Sequence, residues 1–277
     1  MKKILSLLVV AVLMLGMMSV SVSATRDLKY TAQYGSATID GVYDEAWDTY
    51  GSAWTEIDLP FNSEEQNSVC SARAKMMHDD SLIYFFVEIT DATLANSPDL
   101  ELTAMDQFEI YLDEDNCKDV AYCEYSYQLG MTLAGEVREG TNAPETGAAA
   151  NVKEFKVGTS ADGYTLEFSV APFNGIPAAD KAIGLEFMYN DSDEAGTFLD
   201  ALRWNVDTFS GDTAPWQAPE CWGELYCAEY VEPAVEDVPV EDAPVEGETS
   251  APITADAGIV VAAVVMAAAA VVVCKKH

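Results

Sequence analysis

The sequence predicts an all-β fold, an antiparallel β-sandwich of jelly-roll type, set between an N-terminal signal peptide and a C-terminal transmembrane helix. Three observations predict it. Apolar and polar side chains alternate at period two in separated segments, as Phe108, Ile110 and Leu112 do against Glu109, Tyr111 and Asp113. Turn residues punctuate these segments at short intervals with no long amphipathic helical pattern between them. Each end of the chain carries an apolar run, and the two runs differ in kind.

The N-terminal run follows Lys2-Lys3, extends from Ile4 through Val20 and ends at Val22-Ser23-Ala24, a small-x-small cleavage pattern. Residues 1–24 therefore read as a secretory signal peptide. No cysteine follows Ala24, which argues against a lipoprotein anchor. From 25 to 230 the chain is long enough for one sandwich with a sizeable core. Asp44 to Trp47 is expected to form a single helical turn. Strands are expected over 71–77, 83–89, 108–112, 126–131, 152–157, 164–170 and 182–189. Asp162-Gly163, Phe173-Asn174-Gly175-Ile176-Pro177 and Asp193-Glu194-Ala195-Gly196 supply turns between them. The side chains of Phe108, Ile110, Leu166 and Phe168 should face the interior.

Residues 231–256 repeat a Val-Glu-Asp-x-Pro unit (Val235 to Pro239, then Val240 to Pro244), so regular proline and like-charge repulsion favour an extended stalk. Ala257 through Cys274 is a run of about 18 apolar residues, just long enough to cross a bilayer. Lys275-Lys276-His277 (275–277) would remain on the cytoplasmic side. Ala251-Pro252-Ile253-Thr254-Ala255, ahead of the apolar run and the basic tail, resembles the sorting signal of Gram-positive surface proteins. That resemblance implies cleavage after Thr254 and attachment to the cell wall, although Ala251 and Ala255 replace the usual leucine and glycine. Wall attachment and retention by the membrane helix both place the domain on the outer face of a bacterial, Gram-positive-type cell.

The net charge of −33 disfavours a nucleic-acid partner, which would require clustered Lys or Arg. Acidity of this kind is ordinarily a solvated surface, but calcium is a possible ligand of carboxylate-rich loops. Asp79-Asp80, Asp113-Glu114-Asp115 and Asp191-Ser192-Asp193-Glu194 are the candidates, and none has a closed ligand spacing. Cys70, Cys117, Cys123, Cys221 and Cys227 would be exported, and Cys274 lies in the apolar run. Export permits disulfides. Cys117 with Cys123, or Cys221 with Cys227, could close a small loop, and pairing stays open at this level. The exported part has one histidine, His78, and no CxxC, so a zinc site is not expected. His78 precedes a charged turn and reads as a solvent-facing loop residue. A haem site would have only His78 and Met188 as an axial pair, and their spacing gives it no support. With no nucleophile motif, Ser-His and Cys-His chemistry lack support, and no enzyme activity is expected.

An ordered series of fragments carries the functional signal: Ile39-Asp40-Gly41, Asp44-Glu45-Ala46-Trp47, His78-Asp79-Asp80, Asp106 through Asp113, Asp162 through Glu167, Asn190-Asp191 and Trp222-Gly223-Glu224-Leu225. In order and spacing the series, over roughly Ala32 to Cys227, resembles the family 9 carbohydrate-binding modules. Those are sugar-binding β-sandwiches usually found beside catalytic domains in secreted glycanases. A sugar offers apolar C–H faces and equatorial hydroxyls, so its site needs flat aromatic rings and nearby amide or carboxylate groups. The resemblance implies a clamp of two tryptophans around a terminal sugar. It carries one of them to Trp216, in Trp216-Gln217-Ala218-Pro219-Glu220-Cys221-Trp222-Gly223, and the hydroxyl-binding carboxylate to Glu109. At the remaining positions this chain departs. Thr103 stands for the second tryptophan, Gln128 and Gly130 for an arginine and an asparagine, and Met188 for a glutamine. What remains is a one-sided platform around Trp216, with Trp204 and Tyr189 as its candidate neighbours, while Trp47 and Trp222 read as core or support. Two functions follow as expectations. One is a cell-surface module binding a polysaccharide or oligosaccharide such as xylan or cellulose fragments. The other is a surface interaction or spacer protein that reuses the sandwich without binding sugar.

Overall fold

A computed structural model describes residues 29–61, 70–97, 99–100, 104–140, 146–206, 214–217 and 219–231. All of them lie in the first of two compact units, Met1–Glu232. The expected signal peptide, stalk, sorting motif, membrane helix and basic tail lie outside the described residues, as does Thr103. Among the described residues no helix is long and apolar enough to cross a membrane.

The strands are β1 (Lys29–Tyr34), β2 (Thr55–Ile57), β3 (Leu59–Pro60), β4 (Ser71–His78), β5 (Ile83–Thr90), β6 (Gln107–Asp113), β7 (Ser126–Thr132), β8 (Val137–Glu139), β9 (Val152–Thr159), β10 (Gly163–Val170), β11 (Ala182–Ser192), β12 (Phe198–Arg203) and β13 (Gly223–Cys227). Among the described residues one short α-helix, α1 (Glu45–Thr49), begins where the sequence places a turn, because the Asp44 carboxylate caps it by accepting from the Ala46 amide at 2.8 Å.

Two sheets result. The first runs β8-β7-β6-β11-β13-β1, with β12 on the far half of β11 and β3 beyond β12. The second runs β1-β4-β5-β10-β9, with β2 on β4. Strand β1 belongs to both: Lys29 to Ala32 pair with β13, and Gln33 and Tyr34 pair with β4. Both of those pairings are parallel, so the expected antiparallel sandwich holds everywhere except at the strand that links its layers.

The predicted interior residues Phe108, Ile110, Leu166 and Phe168 are all fully buried in one core. Phe85 stacks on Phe168 at 4.9 Å within the second sheet, and Phe108 lies 5.5 Å from Phe187 within the first. Across the layers Phe85 meets Phe187 edge-on at 6.2 Å and Phe108 meets Phe168 at 6.4 Å. Four rings in offset and edge contact thus join the two sheets, a geometry that adds to the stabilisation from apolar burial. Trp47 is a support residue as expected. It is buried, and its indole N–H donates to Glu167 at 2.7 Å. The same carboxylate accepts from the amides of Asp40 and Gly41, which fastens the segment before α1 to β10.

One expectation fails instructively. The alternation in β6 predicts a half-buried strand, yet every residue of β6 and β7 is buried. Loops roof the outer face of the first sheet, so its polar side chains sit under protein rather than in water. That roof creates the site.

Candidate functional site

Odd-numbered residues of β6 and even-numbered residues of β11 point to this outer face. Gln107, Glu109 and Tyr111 come from β6, and Glu186, Met188 and Asn190 from β11, with Met188 directly paired to Glu109. Glu186 builds the roof. Its carboxylate is fully buried and accepts from the amides of Trp204, Asn205 and Val206 at 2.9–3.0 Å, pinning the chain as it leaves β12. Burial pushes its carboxyl up to about 7 in spite of those donors. Tyr111, Met188, Ala201, Val206 and Trp222 form the apolar floor beneath the roof, with Phe61, Tyr122, Trp216 and Cys221 packed against it.

Beside this cluster opens a pocket of about 290 Å³, near the lower end of the range for small-ligand sites. Trp216 and Glu109, the two residues singled out from the sequence, both line it. Trp216 lies on a 3-10 turn, Pro215–Gln217, is half-buried, and leans on Phe61 at 5.2 Å with the rings tilted by 49°. Phe61 is held in turn by Arg203, whose guanidinium lies 5.2 Å over the ring and donates to the Pro60 carbonyl.

Glu109 is only 6% exposed and sits inside a polar net. Oε1 accepts from Gln107 Nε2 at 2.7 Å, and Oε2 accepts from Gln128 Nε2 at 2.9 Å and from the Tyr111 hydroxyl. Burial raises its pKa, and the Tyr111 bond, the nearby Arg138 charge and bonds from Gln128 and Asn190 oppose that rise. The carboxylate is thereby oriented by donors on three strands, β6, β7 and β11.

Sequence reasoning missed Arg138. It lies on β8 directly across from Gly130, donates to Gln107 Oε1 and lines the pocket. Gly130 makes room for it. A Cβ there would come within 3.4 Å of Arg138 Nε and 3.3 Å of Gln107 Oε1. The glycine that replaces a polar residue on one strand thus admits a cation from the next. Gly140 has a similar role at the rim, where any side chain would collide with the Gln128 amide. Among the described residues, Gln128 Oε1 and Arg138 Nε are buried polar atoms with no partner, leaving one acceptor and one donor at the pocket wall.

Several expectations are corrected. Trp204 and Tyr189 are not neighbours of the platform. Both face the interior, Trp204 against Tyr30 and Phe187, and Tyr189 with its hydroxyl on Asp91 at 2.6 Å. Their strand parity and the turn after β12 direct them inward. His78 is not solvent-facing. It ends β4, is 3% exposed, and its ring nitrogens lie 2.8 and 3.0 Å from the carbonyls of Ala228 and Asp79. It belongs to the second sheet and Met188 to the outer face of the first, so the haem pair is not assembled. Trp222 is a support residue as expected, buried against Tyr111 at 5.5 Å. Cys117 and Cys123 form a disulfide, whereas Cys227 is a buried thiol and is not joined to Cys221.

The acidic loops largely satisfy themselves. Asp79 caps its own turn through Ser81 and Leu82, and Glu114 accepts from Tyr127, Phe173 and Asn174. Asp193 accepts from the amides of Ala195 and Thr197. Among the described residues two compact sets form: Asp113 and Asp115 lie with the bridged Cys117 and Cys123, and Asp191 lies with Asp91 and Asp106, whose carboxylate oxygens are within 4.8 Å of one another and are buried. Burial pushes Asp106 up to about 7. Three carboxylates at this spacing could hold a hard cation such as calcium. This set lies between β5, β6 and β11, apart from the residues that line the pocket.

Comparison with known proteins agrees with this fold. A family profile described as "Carbohydrate family 9 binding domain-like" matches residues 39–229. The chain is 27% identical over 195 residues to endo-1,4-beta-xylanase A of Thermotoga neapolitana and 29% identical over 198 residues to exoglucanase XynX of Acetivibrio thermocellus. Each match covers 70% of this chain but only 17% of the enzyme. Among solved structures, a family 9 carbohydrate-binding module from Caldicellulosiruptor kristjanssonii in complex with cellotriose superposes with a TM-score of 0.62. It is 23% identical, covering 75% of this chain and 97% of the module. The glucose complex of such a module from that organism gives the same TM-score at 22% identity, covering 74% of this chain and 98% of the module.

Proposed function

Because the chain belongs to the carbohydrate family 9 binding domain-like family, we propose that it binds carbohydrate at the Trp216–Glu109 pocket. It is a binding module and not a catalytic domain, since its matches are to binding modules and the xylanases extend far beyond the matched stretch. The observation that carries the reading is the meeting of a half-buried indole and an oriented carboxylate at one small pocket. An aromatic face complements the C–H face of a pyranose, while Glu109, Gln128, Arg138 and Asn190 match its hydroxyls. Plant polysaccharide fragments of the cellulose or xylan type are the ligand class. The cellotriose and glucose complexes of similar modules, and the xylanases among the relatives, support it.

Display outside the cell belongs to the same proposal. It is supported by the signal-peptide pattern of residues 1–24, the Pro-rich acidic stalk, and the apolar run ahead of Lys275-Lys276-His277. A module on such a stalk would hold a bacterial cell against its polysaccharide.

Calorimetric titration of the full chain with glucose, cellotriose and xylotriose tests the reading. Saturable binding of at least one, with a change in indole fluorescence, is the expected result. No heat and no fluorescence change with any of the three would favour the interaction or spacer role instead.

A further inference from the structure

The pocket has one indole wall in Trp216, and Phe61 is spent on backing it. Phe198, at the start of β12, is the remaining ring that lines the pocket, and it is 43% exposed. Its direction is the informative point. Residues paired across an antiparallel ladder share a face. On β11, Tyr189 points into the core, Met188 and Asn190 point to the outer face, and Ser192 has the same parity as the latter pair. Regular pairing beyond Asp191–Asp200 would oppose Leu199 to Ser192 and turn Phe198 inward. Instead the register shifts, and Ser192 pairs with Phe198. One extra residue in β12 therefore re-aims an aromatic side chain from the interior to the pocket, a use typical of bulges beside functional sites.

Phe61 and Phe198 are both tied to β12. Phe61, which backs Trp216, is anchored through its amide to the Ala201 carbonyl at 2.9 Å. Phe198 lies three residues before Ala201, roughly 7–10 Å away at strand rise with one residue taken up in the bulge. The turn leading into Phe198 is also held in place. A side chain at Gly196, which has a φ of +79°, would collide with Leu100 and Ala104, so the 193–197 turn packs closely on the loop before β6.

Resting on the carbohydrate reading above, we propose that Phe198 is the second stacking wall of the site, so that the bulged start of β12 and the Trp216 turn together clamp one pyranose ring. Phe198 would then be a specificity-determining residue: its flat face accepts sugars with an unobstructed C–H face and excludes those with an axial substituent on that side.

The test is titration of the full chain and its variants with cellotriose, alongside a thermal melt. Phe198→Ala should weaken cellotriose on the order of tenfold or more, taking the loss of a base–aromatic stack as a guide. Because the ring is exposed, the melting temperature should hardly move. Phe198→Leu keeps bulk without a flat face and should lose affinity as Ala does, whereas Phe198→Tyr should bind as the unaltered chain does. If Phe198→Ala and Phe198→Leu both bind like the unaltered chain while Trp216→Ala binds less well, the second wall is refuted and the carbohydrate reading survives. Equal loss in the Leu and Tyr variants would also refute a stacking role. If the unaltered chain binds no sugar, both ideas fall together.

Discussion

The indole N–H of Trp222 donates to the carbonyl of Pro215 at 2.8 Å, and that bond fixes the turn on which Trp216 stands. Trp222 is wedged between Tyr111 and Tyr122 at 5.5 and 5.6 Å. Lys118, from the loop closed by the Cys117–Cys123 disulfide, donates to the carbonyls of Trp222 and Gly223. A supporting chain thus runs from the disulfide loop through Lys118 and Trp222 to the pocket wall.

Trp222→Phe keeps a ring in the floor but removes the donor. A buried carbonyl left without its partner costs about 1–3 kcal/mol, so the melting temperature should fall measurably. Sugar affinity should fall with it, because the Trp216 turn loses its tether. An unchanged melting temperature would show that the bond contributes nothing.

Trp216→Ala and Glu109→Ala should separate stacking from polar recognition. The first should weaken any sugar about tenfold or more, again by analogy with base–aromatic stacks, and lower the melt only modestly because the ring is partly buried against Phe61. The second should change which sugar is preferred as well as how tightly. It also leaves the amides of Gln107 and Gln128 without their shared acceptor, so the melt should fall. Calorimetry with cellotriose and xylotriose, read beside the melts, checks both. A Trp216→Ala variant with unaltered affinity would remove the residue from the site.

Stability should fall as pH rises through the neutral range. Burial pushes Asp106 and Glu186 up to about 7 and Asp113 up to about 6, all above their unfolded values. The folded state therefore holds protons that the unfolded state has released. Stability from these groups is fully present below about pH 4 and is lost by about pH 7. The net charge of −33 acts in the same direction through self-repulsion. Melts should be run with a chelator, since a cation at Asp91, Asp106 and Asp191 would favour the ionised forms. The melting temperature should be higher near pH 5 than near pH 7.5, with a shallower slope in Asp106→Asn. A melting temperature that climbs over that interval would contradict the buried-carboxyl account.

The Cys117–Cys123 bridge closes a short loop in which Lys118 adopts a left-handed φ of 54°, as does Asn116 just before it at 48°. Cross-linking so short a loop is worth about 2 kcal/mol by the chain-entropy relation. The Cys117→Ser, Cys123→Ser double variant should lose about that much, read from denaturant titration. Ligand affinity should also drop, because Lys118 loses its fixed reach to Trp222. Equal stability with and without reductant would exclude any contribution from the bridge.

Local pattern alone determined much of this protein. Apolar segments between turn signals placed seven of its strands within a few residues, and period-two alternation marked β6 and β10 among them, because burying one face of a strand forces side chains to alternate. It also identified the interior quartet Phe108, Ile110, Leu166 and Phe168, while Trp216 and Glu109 came from the resemblance to the family 9 modules. Strands β1, β2, β3, β8, β12 and β13 escaped, being short or irregular, and β1 is defined only by the two sheets it joins. The rest of the pocket depended on tertiary structure. Arg138 reaches it because Gly130 sits across the ladder, and Phe198 because a bulge shifts its register by one. Trp204, Tyr189 and His78 were misassigned because burial depends on which layer or loop covers a side chain. Sequence spacing reports periodicity along one strand, whereas pairing across strands and the roof over a sheet exist only after the chain has folded.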